Sequence, residues 1–156
     1  MFHYMSLIIP IAVLLPNLFF FGTPPRNSPT TMDTKENMFF KIAEGIGRLG
    51  VFVLPIFSTI HKDKPYEVLA IIGMFVFLLL YYVGWIRYFR KERDYKLLFS
   101  PMIGISVPLA ISPVLYFISA SIVLHSYLFL LSSLILAIGH IPSSLIIYRR
   151  INNDKL

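Results

Sequence analysis

Between Lys96 and Arg149 the chain carries no aspartate, glutamate, lysine or arginine, and this uninterrupted stretch limits its possible folds more than any other feature. A bilayer core about 30 Å thick is crossed by roughly 20 apolar residues in a helix, so the stretch is too long for one crossing and suits two. The least apolar place for a turn between them is Leu124-His125-Ser126. Ser100-Pro101 predicts where the first of the pair begins, because serine caps orphan backbone donors and proline at the first helical position lacks a donor anyway.

Composition points the same way. The 156 residues are 56% hydrophobic and only 14% charged, with a mean hydropathy of +0.72. Soluble domains hold about 25% charged residues, and a chain this short cannot hide so much apolar surface inside one globule. The absence of cysteine excludes disulfide scaffolds, thiolate zinc sites and thiol nucleophiles. A net charge of +6 would suggest nucleic acid in a soluble protein. Here the basic residues first serve as topology signals and lipid contacts.

The expected fold is all-α, a polytopic integral membrane protein with five transmembrane helices in a single membrane domain covering residues 1–156. The spans are placed at about 4–22, 38–60, 68–89, 101–123 and 126–148, with cytoplasmic loops at 23–37 and 90–100. The second span is the unusual one. Residues 49–60 are too few to cross, so the helix must extend back through Arg48, Glu44 and Lys41, opening at a capping-box-like Asp33 and Glu36. An alternative makes 34–48 an amphipathic surface helix and 49–60 a half-span. The amino-terminal run lacks a basic leader and contains Pro10 and Pro16, so it reads as a retained span rather than a cleaved signal.

Charge gives the orientation. Lys62 and Lys64 fall on one side of the expected bundle, and every other lysine and arginine falls on the opposite side. Positive residues resist translocation, which puts the amino terminus outside and the carboxyl terminus in the cytoplasm, in the cell membrane. The stretch from Arg87 to Lys96 mixes basic residues with aromatics and reads as an anionic-lipid and topology anchor. Trp85, Tyr88 and Tyr95 are expected in its headgroup belt.

Lys41, Glu44 and Arg48 are spaced by three and four, so they form one stripe of the second helix, with Glu44 able to pair with either neighbour. Charges in a membrane persist where they pair, meet a wet cavity or bind something. His140 in the fifth span is the other polar group at depth. These four residues, Lys41, Glu44, Arg48 and His140, are the candidate ligand-binding set. Gly45, Gly47 and Gly50 beside the stripe permit close helix approach. Prolines 10, 16, 55, 108, 113 and 142 predict bent helices whose freed carbonyls face the interior. The serines of the last two spans are expected to bond between helices, and the hydroxyls of Tyr81, Tyr82 and Tyr116 to find partners at depth.

No catalytic constellation appears. There is no Gly-x-Ser-x-Gly, no Walker loop and no dinucleotide fingerprint, and the histidines lack metal-ligand spacing, so neither a cofactor nor a metal is expected. The expected function is non-enzymatic: binding a lipid, a small amphiphile or a partner membrane subunit through the charged stripe. The alternative is a small oligomeric transporter or channel using Glu44 or His140 for proton or substrate coupling. Membrane lipids and a partner subunit or a second copy of the chain are the expected partners. Nucleic acid is not.

Overall fold

Long apolar runs with few turn residues pair their backbone groups within a segment, and the computed structural model of the chain, which describes residues 3–27 and 37–153, is all-α. Five α-helices follow one another: α1 (Ile8–Gly22), α2 (Met38–Val53), α3 (Pro65–Arg90), α4 (Pro108–Val123) and α5 (Tyr127–Asn153). Short 3-10 turns precede α1 at Tyr4–Leu7, extend α2 at Leu54–Phe57 and follow α3 at Tyr95–Leu98. Tyr4–Gly22, Pro65–Arg90 and Tyr127–Asn153 are each long and apolar enough to cross a membrane. α4 is apolar but shorter, and α2 contains the three charges of the stripe.

The ends of the helices follow local chemistry. Asn37 caps α2, its side-chain oxygen accepting from the Phe39 N–H at 3.1 Å; the expected opening at Asp33 and Glu36 lies outside the described residues. α2 runs unbroken past Arg48 into Leu49, so no boundary between a surface helix and a half-span exists there. α3 starts at Pro65, earlier than expected, and takes Glu67 into its first turn. The Glu67 carboxylate accepts from the backbone N–H groups of Asp63 (2.7 Å) and Lys64 (3.0 Å), satisfying donors that a helix start leaves open.

The fourth helix corrects the sequence reading. It begins at Pro108, not at Pro101. Ile103, Gly104 and Val107 have left-handed backbones, at φ 53°, 75° and 45°, and Met102 and Ile105 form a single antiparallel bridge. The reason is Pro108: as a mid-helix residue it would lack a donor and disfavour the helical conformation for Val107, whereas at the first helical position neither problem arises. The turn into α5 falls where expected. His125 is left-handed (φ 48°), its N–H donates to the Ile122 carbonyl and that of Ser126 to the Ser121 carbonyl, the paired bonds of a Schellman motif.

Successive helices run in opposite directions. At one end His3 N–H donates to the Ile56 carbonyl (2.8 Å), His61 N–H to the Val123 carbonyl (2.9 Å), and Glu67 meets His125. At the other, Arg26 N–H donates to the Arg93 carbonyl and Asn27 to Asp94. α5 packs along α2 and α4, α4 along α3, and α1 along α3 and α4. α1 and α2 make no extended contact with each other; their tie is the hydrogen-bonded end just described, where Ser6 also donates to the Ser58 carbonyl.

α2 and α5 approach backbone to backbone. A Cβ on Gly47 would lie 2.4 Å from the Leu136 nitrogen, and one on Gly139 2.3 Å from the Glu44 nitrogen, so only glycine permits this contact.

Proline, tyrosine and serine share out the remaining polar groups. Pro16 cannot donate to the Ala12 carbonyl, and the Tyr82 hydroxyl does so instead at 2.8 Å. Tyr81 and Tyr116 likewise donate to the carbonyls of Val13 (3.3 Å) and Ile9 (3.1 Å). The serines behave otherwise than expected: Ser112, Ser119, Ser133 and Ser143 donate to the carbonyl four residues back in their own helix rather than across to a neighbour. Trp85 and Tyr88 are also repositioned. They are buried, not at a surface belt, because Phe20 of α1 packs edge-on to Trp85 at 5.6 Å and against Tyr88 at 5.9 Å.

Candidate functional site

The tight α2–α5 contact determines which polar side chains meet. With Gly139 seated on the Glu44 backbone, the next residue, His140, is carried to the Glu44 carboxylate: Nδ1 lies 2.9 Å from Oε1. One turn along α2, Arg48 donates to the same oxygen. Glu44 thus joins two cationic-type side chains from two helices, and facing an ionised carboxylate the imidazole carries its proton on Nδ1. Nε2 is left as the ring's second polar position. The Glu44 and His140 side chains are 20% and 26% exposed, and that of Arg48 57%.

Three of the four sequence candidates are therefore brought together. Lys41 is not part of the cluster's wall; it is exposed on the preceding turn of α2. The charged stripe was legible as a stripe, but the choice of Arg48 over Lys41 depends on how α5 sits.

Beside this cluster is a cavity of about 390 Å³ to which all five helices contribute. It lies in the gap between α1 and α2. Val13 and Phe20 of α1, Val51 and Phe52 of α2, and Leu109 and Phe117 of α4 line it, together with Leu98 and Phe99 from the segment after α3. Its polar wall groups are Asn17, Arg48, Tyr81, His140 and Ser144. Glu44 is not among the lining residues. Arg48 and His140 thus face the cavity while the carboxylate holding them stands behind. The Asn17 amide donates to the Val13 carbonyl (3.1 Å) and the Tyr81 hydroxyl (3.0 Å), so this part of the wall is held by internal bonds. Trp85 also lines the cavity; its indole nitrogen is buried, with no acceptor in hydrogen-bonding geometry among the described residues.

Sequence reasoning missed a second polar cluster. At the opposite end, Glu67 is 1% exposed and its Oε1 lies 2.8 Å from His125 Nε2. The His125 ring stacks on His61 at 4.1 Å with the planes nearly parallel. The signal was Glu67 two residues after Pro65, a position just outside the expected third span at 68–89. Placing His125 in a left-handed position usually taken by glycine is consistent with its side chain being needed for this contact. Among the described residues, no group of three His, Cys, Asp or Glu side chains is placed to hold a metal ion.

A cavity walled mostly by apolar and aromatic groups, with two basic side chains among its lining, has the composition of a small-molecule site. Compared with protein-family models, curated proteins and solved structures, the chain matches none of them.

Proposed function

We propose that the chain is a non-enzymatic integral membrane protein, with five spanning helices in the cell membrane, that binds a lipid or other small amphiphile in the gap between α1 and α2. The observation that carries the binding reading is the cavity: mostly apolar walls, and on one side Arg48 and His140 held in place by Glu44. An amphiphile matches both parts, its chain on the aromatic and aliphatic walls and its polar head on the basic pair. At about 390 Å³ the cavity falls within the range of small-molecule sites, about 300–1,000 Å³.

The membrane reading is supported by the outside of the bundle. Phe75, Leu79 and Ile86 on α3, Ile42 and Leu49 on α2, and Leu131 on α5 are among many large apolar side chains that stand exposed. In water such a surface would drive association; among acyl chains it is solvated. The alternating helix directions put Arg26, Arg87, Arg90, Lys91, Arg93, Arg149 and Arg150 at one end and Lys62 and Lys64 at the other, which supports a cytoplasmic carboxyl terminus. Transport through the bundle is the weaker reading. At the end away from the basic residues, the start of α1 is hydrogen-bonded to the turn after α2, across the line a path would follow.

Two experiments test these statements. Purified in mild detergent, the protein is expected to retain a lipid detectable by mass spectrometry, and Arg48→Ala to lose most of it; an unchanged lipid profile would count against the site. The chain has no native cysteine, so single replacements report topology cleanly. In intact cells Lys62→Cys should react with an impermeant maleimide and Asp94→Cys should not. Labelling at Asp94→Cys from outside would reverse the orientation.

A further inference from the structure

We infer that the occupant of the gap between α1 and α2 is an amphiphile with one hydrocarbon chain and an oxyanion head, either a carboxylate or a phosphate monoester. This rests on the amphiphile-binding reading and narrows it to a chemical class. The argument starts from how charge is sorted around Glu44. Its carboxylate is bonded to Arg48 and His140, yet only those two partners line the cavity. A ligand in the cavity therefore meets the guanidinium donors of Arg48 beside the His140 ring, with the acid outside the lining.

The donors on the wall give the sign of the head. The Arg48 guanidinium is permanently charged, and its bond to Glu44 occupies only part of its donor set. An anionic head accepts charge-assisted bonds from the donors that remain, an uncharged head accepts only weaker ones, and a cationic head accepts none. The planar guanidinium offers five N–H donors in a fixed fork, and the bond to Glu44 leaves others for the paired oxygens of a carboxylate or phosphate. Charge-assisted bonds of this kind are about twice as strong as neutral ones.

Size decides the number of chains. The volume of about 390 Å³ is near the lower end of the small-molecule range, and the rings of Phe20 and Phe117 are among the groups that line it. One chain suits it better than two. Glu44 is then a positioning residue, acting on the ligand through the two side chains it holds.

Trp85 makes the test direct, since it is the chain's single tryptophan and lines the cavity. The full chain would be placed in phosphatidylcholine nanodiscs and its fluorescence followed against four brominated quenchers: dibromostearate, dibromooctadecyl phosphate, dibromooctadecyl alcohol and a dibrominated phosphatidylglycerol. Saturable quenching by at least one of the first two is expected, with the alcohol weaker by about tenfold or more, the scale of a charge-assisted contact. Arg48→Gln should reduce the anionic probe to the affinity of the alcohol, and Arg48→Lys should keep part of the difference, which covers the case in which the glutamine variant does not fold. Glu44→Gln should weaken the anionic probe and leave the alcohol unchanged, a split that general loosening of the bundle would not produce. Equal saturable quenching by acid, phosphate and alcohol would overturn the oxyanion head while leaving amphiphile binding intact. Binding of the two-chain lipid as tight as that of the single-chain anions would overturn the single chain. Quenching that never saturates with any probe would overturn both this inference and the binding site on which it rests.

Discussion

Gly139→Ala is expected to destabilise the bundle, although the same substitution at Gly45 is expected to stabilise it. Both glycines lie inside helices, where alanine is intrinsically favoured by about 1 kcal/mol. At Gly45 a Cβ would meet nothing within 4 Å, so the propensity gain should appear undiminished. At Gly139 the added carbon would sit 2.3 Å from the Glu44 nitrogen and 2.6 Å from the Phe40 carbonyl oxygen. Those are backbone atoms, so no rotamer change relieves the overlap, and α2 must move away from α5. Overpacking of this kind costs about 1–3 kcal/mol, and here it also separates Glu44 from His140. Thermal unfolding in detergent micelles, read by Trp85 emission, should give a lower midpoint for Gly139→Ala and an equal or higher one for Gly45→Ala. Equal midpoints would show that the two helices do not meet as described.

The second large effect is a coupling between two residues far apart in sequence. Tyr82→Phe should remove the donor that Pro16 makes necessary at the part-buried Ala12 carbonyl, and leaving such an acceptor unpaired costs about 1–2 kcal/mol. On a Pro16→Ala background the same change should be nearly silent, because the new backbone N–H can reach the Ala12 carbonyl within α1. The double-mutant cycle is therefore expected to show a coupling of about 1–2 kcal/mol. Additivity within about 0.5 kcal/mol would mean that the hydroxyl and the proline act independently.

How much of this was legible without coordinates depends on the range over which each signal acts. The uncharged runs, the stripe Lys41, Glu44 and Arg48, and the turn at Leu124 to Ser126 are local patterns, and helices and turn stand where those patterns put them. The start of α4 was misjudged because Ser100-Pro101 and Val107-Pro108 are both sound openings, and only the left-handed bends between them separate the two. The serines were assigned to neighbouring helices although a carbonyl one turn back is always within reach. Trp85 and Tyr88 look like interfacial residues until Phe20, from a helix distant in sequence, is seen to cover them. The meeting of His140 with Glu44 spans 96 positions and no periodicity encodes it. Gly139, Gly47 and Leu136 do, but only once α2 and α5 are known to be paired.

The order of packing also bears on how such a chain is made. Ribosomes deliver the amino end first, and neither of the first two helices finds its main partner next in line. α1 rests on α3 and α4, and α2 rests on α5, the last to emerge. α2 therefore has its main packing partner, and Glu44 its His140 contact, only once the last helix has been made. A chain ending before α5 would leave the glycine face of α2 at Gly47 and Gly50 uncovered and Glu44 without His140, so the last helix completes both the packing and the polar cluster.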